Sequence, residues 1–431
     1  MKTDDPSIAS PPSRRRMAVL TIVFSYAAAG VSYATQFWLA RKLGDERFGV
    51  FSLSILWANV MQTILQFGTD RTLIRDLVQS ETPCRVFSDS NRLRIMLTLV
   101  GIPCFCVFVL FSGESHTAQL AMVAGLGFGV ASALSPMAWY DFRRTMHLQS
   151  AIIFLEKVIF GAGVVLLAVW LQDRFSALFA IGMMSIAAMI GLAIQWLPIR
   201  RDCSRVEAPA THGVSRMFQG NVAVVMAALG NMGMTHANQL VLNQFVGKAG
   251  LAHYSISFQL IRIVQLFLGQ YIRICAPDIA KVTSGRENEM RKGLKVFFKQ
   301  VAIALLVSFS IVVPVYVAGR WIILGYLSES YAPAVRILGV LSLWCLIFGP
   351  ASVVNRFLLS LHLQRWFFFS AVVFGVVSVA IGFALIPSYQ GVGAAFALLI
   401  GHGLSALFQA VLVVRALSQN TKAHLTTNSN V

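Results

Sequence analysis

Uninterrupted apolar runs of roughly 20 residues divide this chain, and that length decides what it can fold into. A helix of about 20 residues, rising 1.5 Å per residue, crosses about 30 Å of hydrocarbon. In hydrocarbon every backbone N–H and C=O needs a partner within the protein, which leaves only helices and closed barrels. The runs are continuous rather than alternating, so a barrel is excluded. Of the 431 residues, 57% are hydrophobic and 12% charged, about half the charge of a soluble protein. The chain therefore reads as an all-α polytopic membrane protein.

Twelve spans are expected, near 17–40, 49–69, 93–112, 118–140, 148–171, 175–197, 217–246, 251–276, 296–318, 334–358, 365–386 and 391–414. The stretch 198–216, with Pro198, Arg200, Arg201, Arg205, Pro209 and Arg216, is the one long polar linker. It divides the chain into an N-terminal tail (1–16), a six-helix bundle (17–197), a second six-helix bundle (217–417) and a C-terminal tail (418–431). The N-terminal tail is polar and ends in Arg14, Arg15 and Arg16, the pattern of an uncleaved anchor.

The net charge of +17 does not signal nucleic acid, because Lys and Arg sit between apolar runs rather than in a basic domain. Their distribution sets an orientation instead. With the N-terminus inside, 24 fall on inner segments and 7 on outer loops, which makes both termini cytoplasmic. The excess also favours contact with anionic membrane lipids. Arg71, Arg75, Arg85, Arg92 and Arg94 are assigned to topology and headgroup contact. The six cysteines form no CxxC pair and are expected to be reduced packing residues.

A charged, glycine-bounded hinge, Leu39–Ser52 (LARKLGDERFGVFS), separates the first two spans and returns at Leu242–Ser255. Adding 203 carries Leu39 onto Leu242, Gly44 onto Gly247, Phe51 onto Tyr254 and Ser52 onto Ser255. Gly44 is expected to leave its helix through φ > 0. Asp45 and Glu46 suit the start of the next helix, and Phe48 the headgroup layer. The same offset pairs Ser32 with Thr235, Gln36 with Gln239 and Gln62 with Gln265. Pro103 pairs with Pro314, Pro136 with Pro350, and His147-Leu148-Gln149 with His362-Leu363-Gln364, at offsets that only grow. The ordered series points to two parallel six-helix repeats with a central cavity at their interface.

Span eight places Ser255, Gln259, Arg262 and Gln265 on one helical face. An arginine near the bilayer centre costs roughly 2.5–3.5 kcal/mol on insertion scales, so Arg262 should meet protein or a wet cavity. Its functional reading is a cationic contact for an anionic substrate, since guanidinium binds phosphate in bidentate fashion. The structural alternative is a carboxylate partner or snorkelling. Asn59 is the repeat mate of Arg262, and Gln62, Gln66 and Asp70 continue its face. Span seven carries Asn231, Thr235, His236, Asn238, Gln239 and Asn243, and span one Ser25, Ser32 and Gln36. These polar groups either line a hydrophilic cleft or glue helices together. Glu156 and Lys157 in span five, with Asp70, are candidates for ion coupling. As neighbours about 100° apart on a helix, Glu156 and Lys157 are not expected to pair with each other. No P-loop, nucleophile elbow or metal-spaced His/Cys cluster is found, so no cofactor, metal site or enzymatic activity is expected. A membrane glycan polymerase or acyltransferase calls for a sizeable outer loop or a convergent His/Asp set, and the largest outer loop here is the short 319–333 segment.

The hinge Leu39–Ser52, with Gln66-Phe-Gly-Thr-Asp-Arg71 closing span two, resembles the polysaccharide-transporter branch of the multidrug/oligosaccharidyl-lipid/polysaccharide (MOP) exporter superfamily. These are the O-antigen and exopolysaccharide flippases. The resemblance implies a MATE-like fold of two six-helix bundles around a V-shaped cavity, in the bacterial inner membrane. It implies alternating-access export of undecaprenyl-pyrophosphate-linked oligosaccharide, alongside a glycan polymerase and chain-length machinery. Arg262 matches the cationic cavity residues of that family. The rival reading is an ion-coupled secondary transporter for a small solute, a multidrug/cation antiporter or a facilitator; the facilitator's glycine/acid/arginine loop is not visible in Gly68–Arg75.

Overall fold

The computed structural model describes residues 14–203, 212–283, 293–361 and 363–428. Among them the chain forms helices and connecting turns, with no strand. Parts of the expected tails and linker (1–13, 204–211, 429–431), the segment 284–292 and the repeat residue His362 lie outside the described residues.

The first half contains α1 (Arg14–Gln66), α2 (Thr69–Gln79), α3 (Pro83–Leu110), α4 (His116–Ala133), α5 (Met137–Phe142), α6 (Met146–Leu171) and α7 (Ala177–Cys203). In the second, α8 (His212–Met232) passes through a π-helical turn, Gly233–Ala237, into α9 (Asn238–Val246). It continues with α10 (Lys248–Thr283), α11 (Gly293–Trp321), α12 (Pro333–Ser360) and α13 (Gln364–Asn428). Nine described stretches are long and apolar enough to cross a membrane, so this is a multi-pass membrane protein. Two of them, Val19–Gln66 and Arg365–Ser418, have 48 and 54 residues, more than twice the length one crossing needs. They bend at Gly44 and Gln390, where the sequence expects pairs of spans. The π-interrupted run α8–α9 covers the segment expected as the seventh span.

Gly44 (φ 75, ψ 173) and Gly247 (φ 85, ψ −167) share one backbone conformation, a region open essentially to glycine alone. The two hinges thus match in geometry as well as in sequence. Pro103 lies inside α3 and its mate Pro314 inside α11.

The residues form two compact units. One holds the chain to Gln36 together with Leu65–Asn221; the other holds Phe37–Ile64 and everything from Val222 onward. Residues 37–64, expected in the first bundle, therefore pack within the second unit. There Leu39, Ala40, Phe48 and Phe51 are 0% exposed. Gly49 admits the Lys248 backbone so closely that any Cβ would overlap the Lys248 carbonyl. Phe48 is consequently not a headgroup residue: it is buried with its ring centroid 5.7 Å from that of Phe51. The tip of the hinge is covered by the second hinge, a tertiary contact that amphipathic pattern does not reveal.

In the first unit α4 and α7 approach through small residues, as helices in lipid do. A Cβ at Gly127 would lie 2.8 Å from the Ser185 Cβ, and the Ser185 hydroxyl donates to the Ala124 carbonyl at 2.6 Å. Leu73, Leu77, Phe87, Trp139, Tyr140 and Ile199 form an apolar cluster.

Two expectations fail beside this cluster. Arg94 is not a headgroup residue but is 5% exposed. It donates to Thr69 Oγ1 at 2.7 Å and to the Ala133 and Ser135 carbonyls at 3.0 and 3.2 Å. The end of α4 leaves carbonyls without helical partners, and the guanidinium supplies their donors. Cys84, partly buried against the cluster, is disulfide-bonded rather than reduced. Spacing along a chain is blind to cysteines that packing brings together.

Candidate functional site

In the second unit α10 carries the polar stripe read from the sequence. Ser255, Gln259, Arg262 and Gln265 are half-buried, while Ile256, Ser257, Phe258, Leu260, Ile261 and Val264 between them are buried. One face of the helix is thus committed to the core and the polar face is not. Ser257 belongs to the core face and donates to the Ala334 carbonyl at 2.7 Å.

Arg262 is held against aromatic protein. Its guanidinium carbon lies 5.3 Å from the centroid of the Phe258 ring. Phe258 in turn stacks on Trp344, which is 0% exposed, at 5.8 Å. A cation over an aromatic face is stabilised by about 0.5–2 kcal/mol, which offsets part of its cost in an apolar setting. The charge of Arg262 also acts on the imidazole of His236, from the π-helical turn. His236 Nδ1 and Gln259 Oε1 are both buried, and neither has a hydrogen-bond partner among the described residues. Buried polar groups are normally satisfied, so an acceptor and a ring nitrogen left open near a guanidinium mark an incomplete polar constellation.

The π-helical turn is what the sequence did not signal. Gly233–Ala237 widens one turn between α8 and α9 and carries His236. Such single π turns recur at functional sites. Its only trace in the sequence is the dense run of polar residues around it.

The other expected residues divide by environment. Asn59 and Gln62 are half-buried in the second unit, and the Asn59 carbonyl accepts from Thr63 Oγ1 at 3.0 Å. Gln239 is 5% exposed and donates to the Thr235 carbonyl at 3.2 Å. Asn238 is 0% exposed. Its amide donates to Ser378 Oγ at 2.9 Å, and a Cβ at Gly382 would overlap its Oδ1. Those are the contacts of a residue that glues α9 to α13.

Gln36 falls in the first unit and is half-buried, donating to Ser32 Oγ on its own helix at 3.1 Å. Asp70, exposed in the first turn of α2, exerts its charge on Arg94. Glu156 and Lys157 do pair with each other, against expectation. Their side chains are only 12% and 18% exposed, and long flexible stems close the angular gap. Gly191 on α7 leaves room for the Glu156 carboxylate, and the Lys157 ammonium lies 5.5 Å from the Phe128 ring centroid. No group of three or more metal-ligating side chains occurs among the described residues.

The family model for polysaccharide biosynthesis proteins matches residues 15–283. No curated protein matches the chain. Solved structures match its fold over nearly its whole length. An inward-facing multidrug-resistance MATE transporter of the MOP superfamily aligns with a TM-score of 0.69 at 11% identity, covering 94% of this chain and 99% of that one. The lipid II flippase MurJ, in an inward closed conformation, gives 0.68 at 12% identity, covering 95% and 91%. A MOP superfamily transporter from Pyrococcus furiosus gives 0.54 at 12% identity, covering 94% and 93%. The architecture is that of MOP superfamily transporters.

Proposed function

Because the chain belongs to the polysaccharide biosynthesis protein family, we propose that it is a flippase which carries undecaprenyl-pyrophosphate-linked oligosaccharide repeat units across the bacterial inner membrane by alternating access. Both termini face the cytoplasm, and the product feeds O-antigen or exopolysaccharide assembly by a glycan polymerase and its chain-length machinery. A lipid-linked sugar has a headgroup too polar for hydrocarbon and a tail that stays in it. A cationic, wet passage meets both demands. The observation that carries the reading is Arg262, poised over Phe258 on the uncommitted face of α10, beside unsatisfied polar groups of His236 and Gln259. In this reading it contacts the pyrophosphate, with Ser255, Gln259, Gln265, Asn59 and Gln62 on polar faces that meet the headgroup.

The test is the leaflet distribution of lipid-linked repeat units in a deletion strain. They accumulate on the cytoplasmic side, and unaltered surface glycan in a clean deletion refutes the proposal. Arg262→Ala lowers transport roughly 10- to 100-fold, the equivalent of about 1.5–3 kcal/mol for a hydrogen bond to a charged group. Arg262→Lys retains partial transport. A stably expressed Arg262→Ala protein with wild-type transport removes Arg262 from the mechanism.

The second reading, an ion-coupled transporter for a small solute, draws on Glu156, a carboxylate inside α6 at 12% exposure. Its pairing with Lys157 argues against it as a vacant cation site. Solute transport that depends on Glu156 and is indifferent to Arg262 favours this reading.

A further inference from the structure

A cavity of about 370 Å³ opens at one end of the second unit. It forms where the start of α10, the start of α12 and the bend of α13 meet, and is lined by Gly250, His253, Pro333, Arg336, Tyr389 and Gln390 among others. It lies away from the Arg262 stripe: Gly250 and His253 are in the first two turns of α10, and Arg262 is more than two turns beyond.

Its chemistry is one-sided. Arg336 is exposed and makes no hydrogen bond or ion pair among the described residues. No carboxylate belongs to the lining. The Asp45 carboxylate reaches the lining at His253, paired with Nε2 at 3.6 Å. His253 Nε2 is buried with no hydrogen-bond partner among the described residues. A backbone group of Ser330 engages the ring, and Tyr331 packs edge-on against it at 5.5 Å. The imidazole is thus held between the Ser330 backbone and the Asp45 carboxylate. Tyr389 is 61% exposed. Gln390 sits at φ 51, ψ −130, strain of the kind that concentrates at ligand sites. The volume lies at the low end of ligand cavities, roughly 300–1,000 Å³, a size for one sugar ring rather than a lipid chain.

We propose that this cavity binds a carboxylate or phosphate group borne on a sugar-sized head, with Arg336 holding the anion and Tyr389 covering the ring. Arginine supplies a planar donor fork that fits either anion. Tyrosine offers an apolar face and a hydroxyl to a sugar. The ligand comes either from an acidic sugar of the glycan or from an anionic phospholipid headgroup. The inference is independent of flippase activity, since it concerns binding at a second place, and it is tested without transport.

The experiment is calorimetric titration of the full-length protein in neutral detergent with sodium glucuronate, glucose or inorganic phosphate. Glucuronate and phosphate bind saturably and glucose does not. Arg336→Gln weakens glucuronate at least about tenfold, Arg336→Lys weakens it less, and Tyr389→Ala weakens glucuronate but not phosphate. In nanodiscs, loss of glucuronate binding in phosphatidylglycerol but not in phosphatidylcholine assigns the site to the lipid headgroup. Retention in both assigns it to acidic sugar. Equal binding of glucose and glucuronate, or unchanged affinity in both Arg336 variants, overturns the proposal.

Discussion

Gly44 and Gly247 hold a conformation that side chains resist, and a Cβ at either would meet no atom within 4 Å outside its chain neighbours. Substitution there isolates the backbone cost, about 1–3 kcal/mol for a residue forced into a sparsely populated region. Gly49 is the reverse case, since its Cβ would strike the Lys248 carbonyl, which belongs to backbone and has little freedom to give. Gly44→Ala and Gly247→Ala are therefore expected to lower the midpoint of thermal unfolding in detergent by similar amounts, and Gly49→Ala by more. A neutral Gly49→Ala disproves the close hinge-to-hinge approach. At this scale the sequence announced the glycines, because a positive φ after an apolar run has few other solutions. It did not announce Phe48 or Arg94. An aromatic or a cation at a span end reads as interfacial until a second element, remote in sequence, is seen to cover it.

Among the elements, α6 offers the sharpest contrast between pattern and packing. Its length follows from composition, but the fate of Glu156 and Lys157 does not. Around the pair, Gly191 of α7 lies beside the carboxylate and the Phe128 ring of α4 beside the ammonium. Removing one partner of a buried pair leaves an uncompensated charge and costs about 3–5 kcal/mol, while removing both is far milder. Glu156→Gln is expected to destabilise the protein, and Glu156→Gln with Lys157→Gln to recover most of the loss, read by thermal unfolding. If the double variant is stable and transports normally, the pair is structural. Stability restored with transport abolished assigns it a part in coupling. The π-helical turn before α9 was equally illegible, because the extra residue in that turn has no residue-type code. The polar stripe of α10 was legible, since a period of 3.6 is written in the spacing of Ser255, Gln259, Arg262 and Gln265.

For the molecule as a whole, the orientation in the membrane governs every functional statement. The proposed function has the substrate met in the cytoplasmic leaflet, and the excess of Lys and Arg predicts which side that is. Basic residues near span ends hold their segments on the cytoplasmic side during insertion, whereas acidic residues contribute little. With 24 basic residues on one set of segments and 7 on the other, single substitutions do not invert the arrangement. The bend at Gly44 and the bend at Gln390 are then both expected on the outer side, with the linker around 204–211 on the inner side. Single cysteines introduced at 113, 329 and 389 in a cysteine-free background react with a membrane-impermeant maleimide added to intact spheroplasts. Cysteines at 209 and 425 react only after the membrane is opened. Reaction of the 209 position from outside inverts the topology, and places the cavity beside Arg336 in the cytoplasm, where no exported sugar is released. Binding of glucuronate to the purified protein is unaffected by that result. The anion site and the direction of transport therefore stand or fall separately.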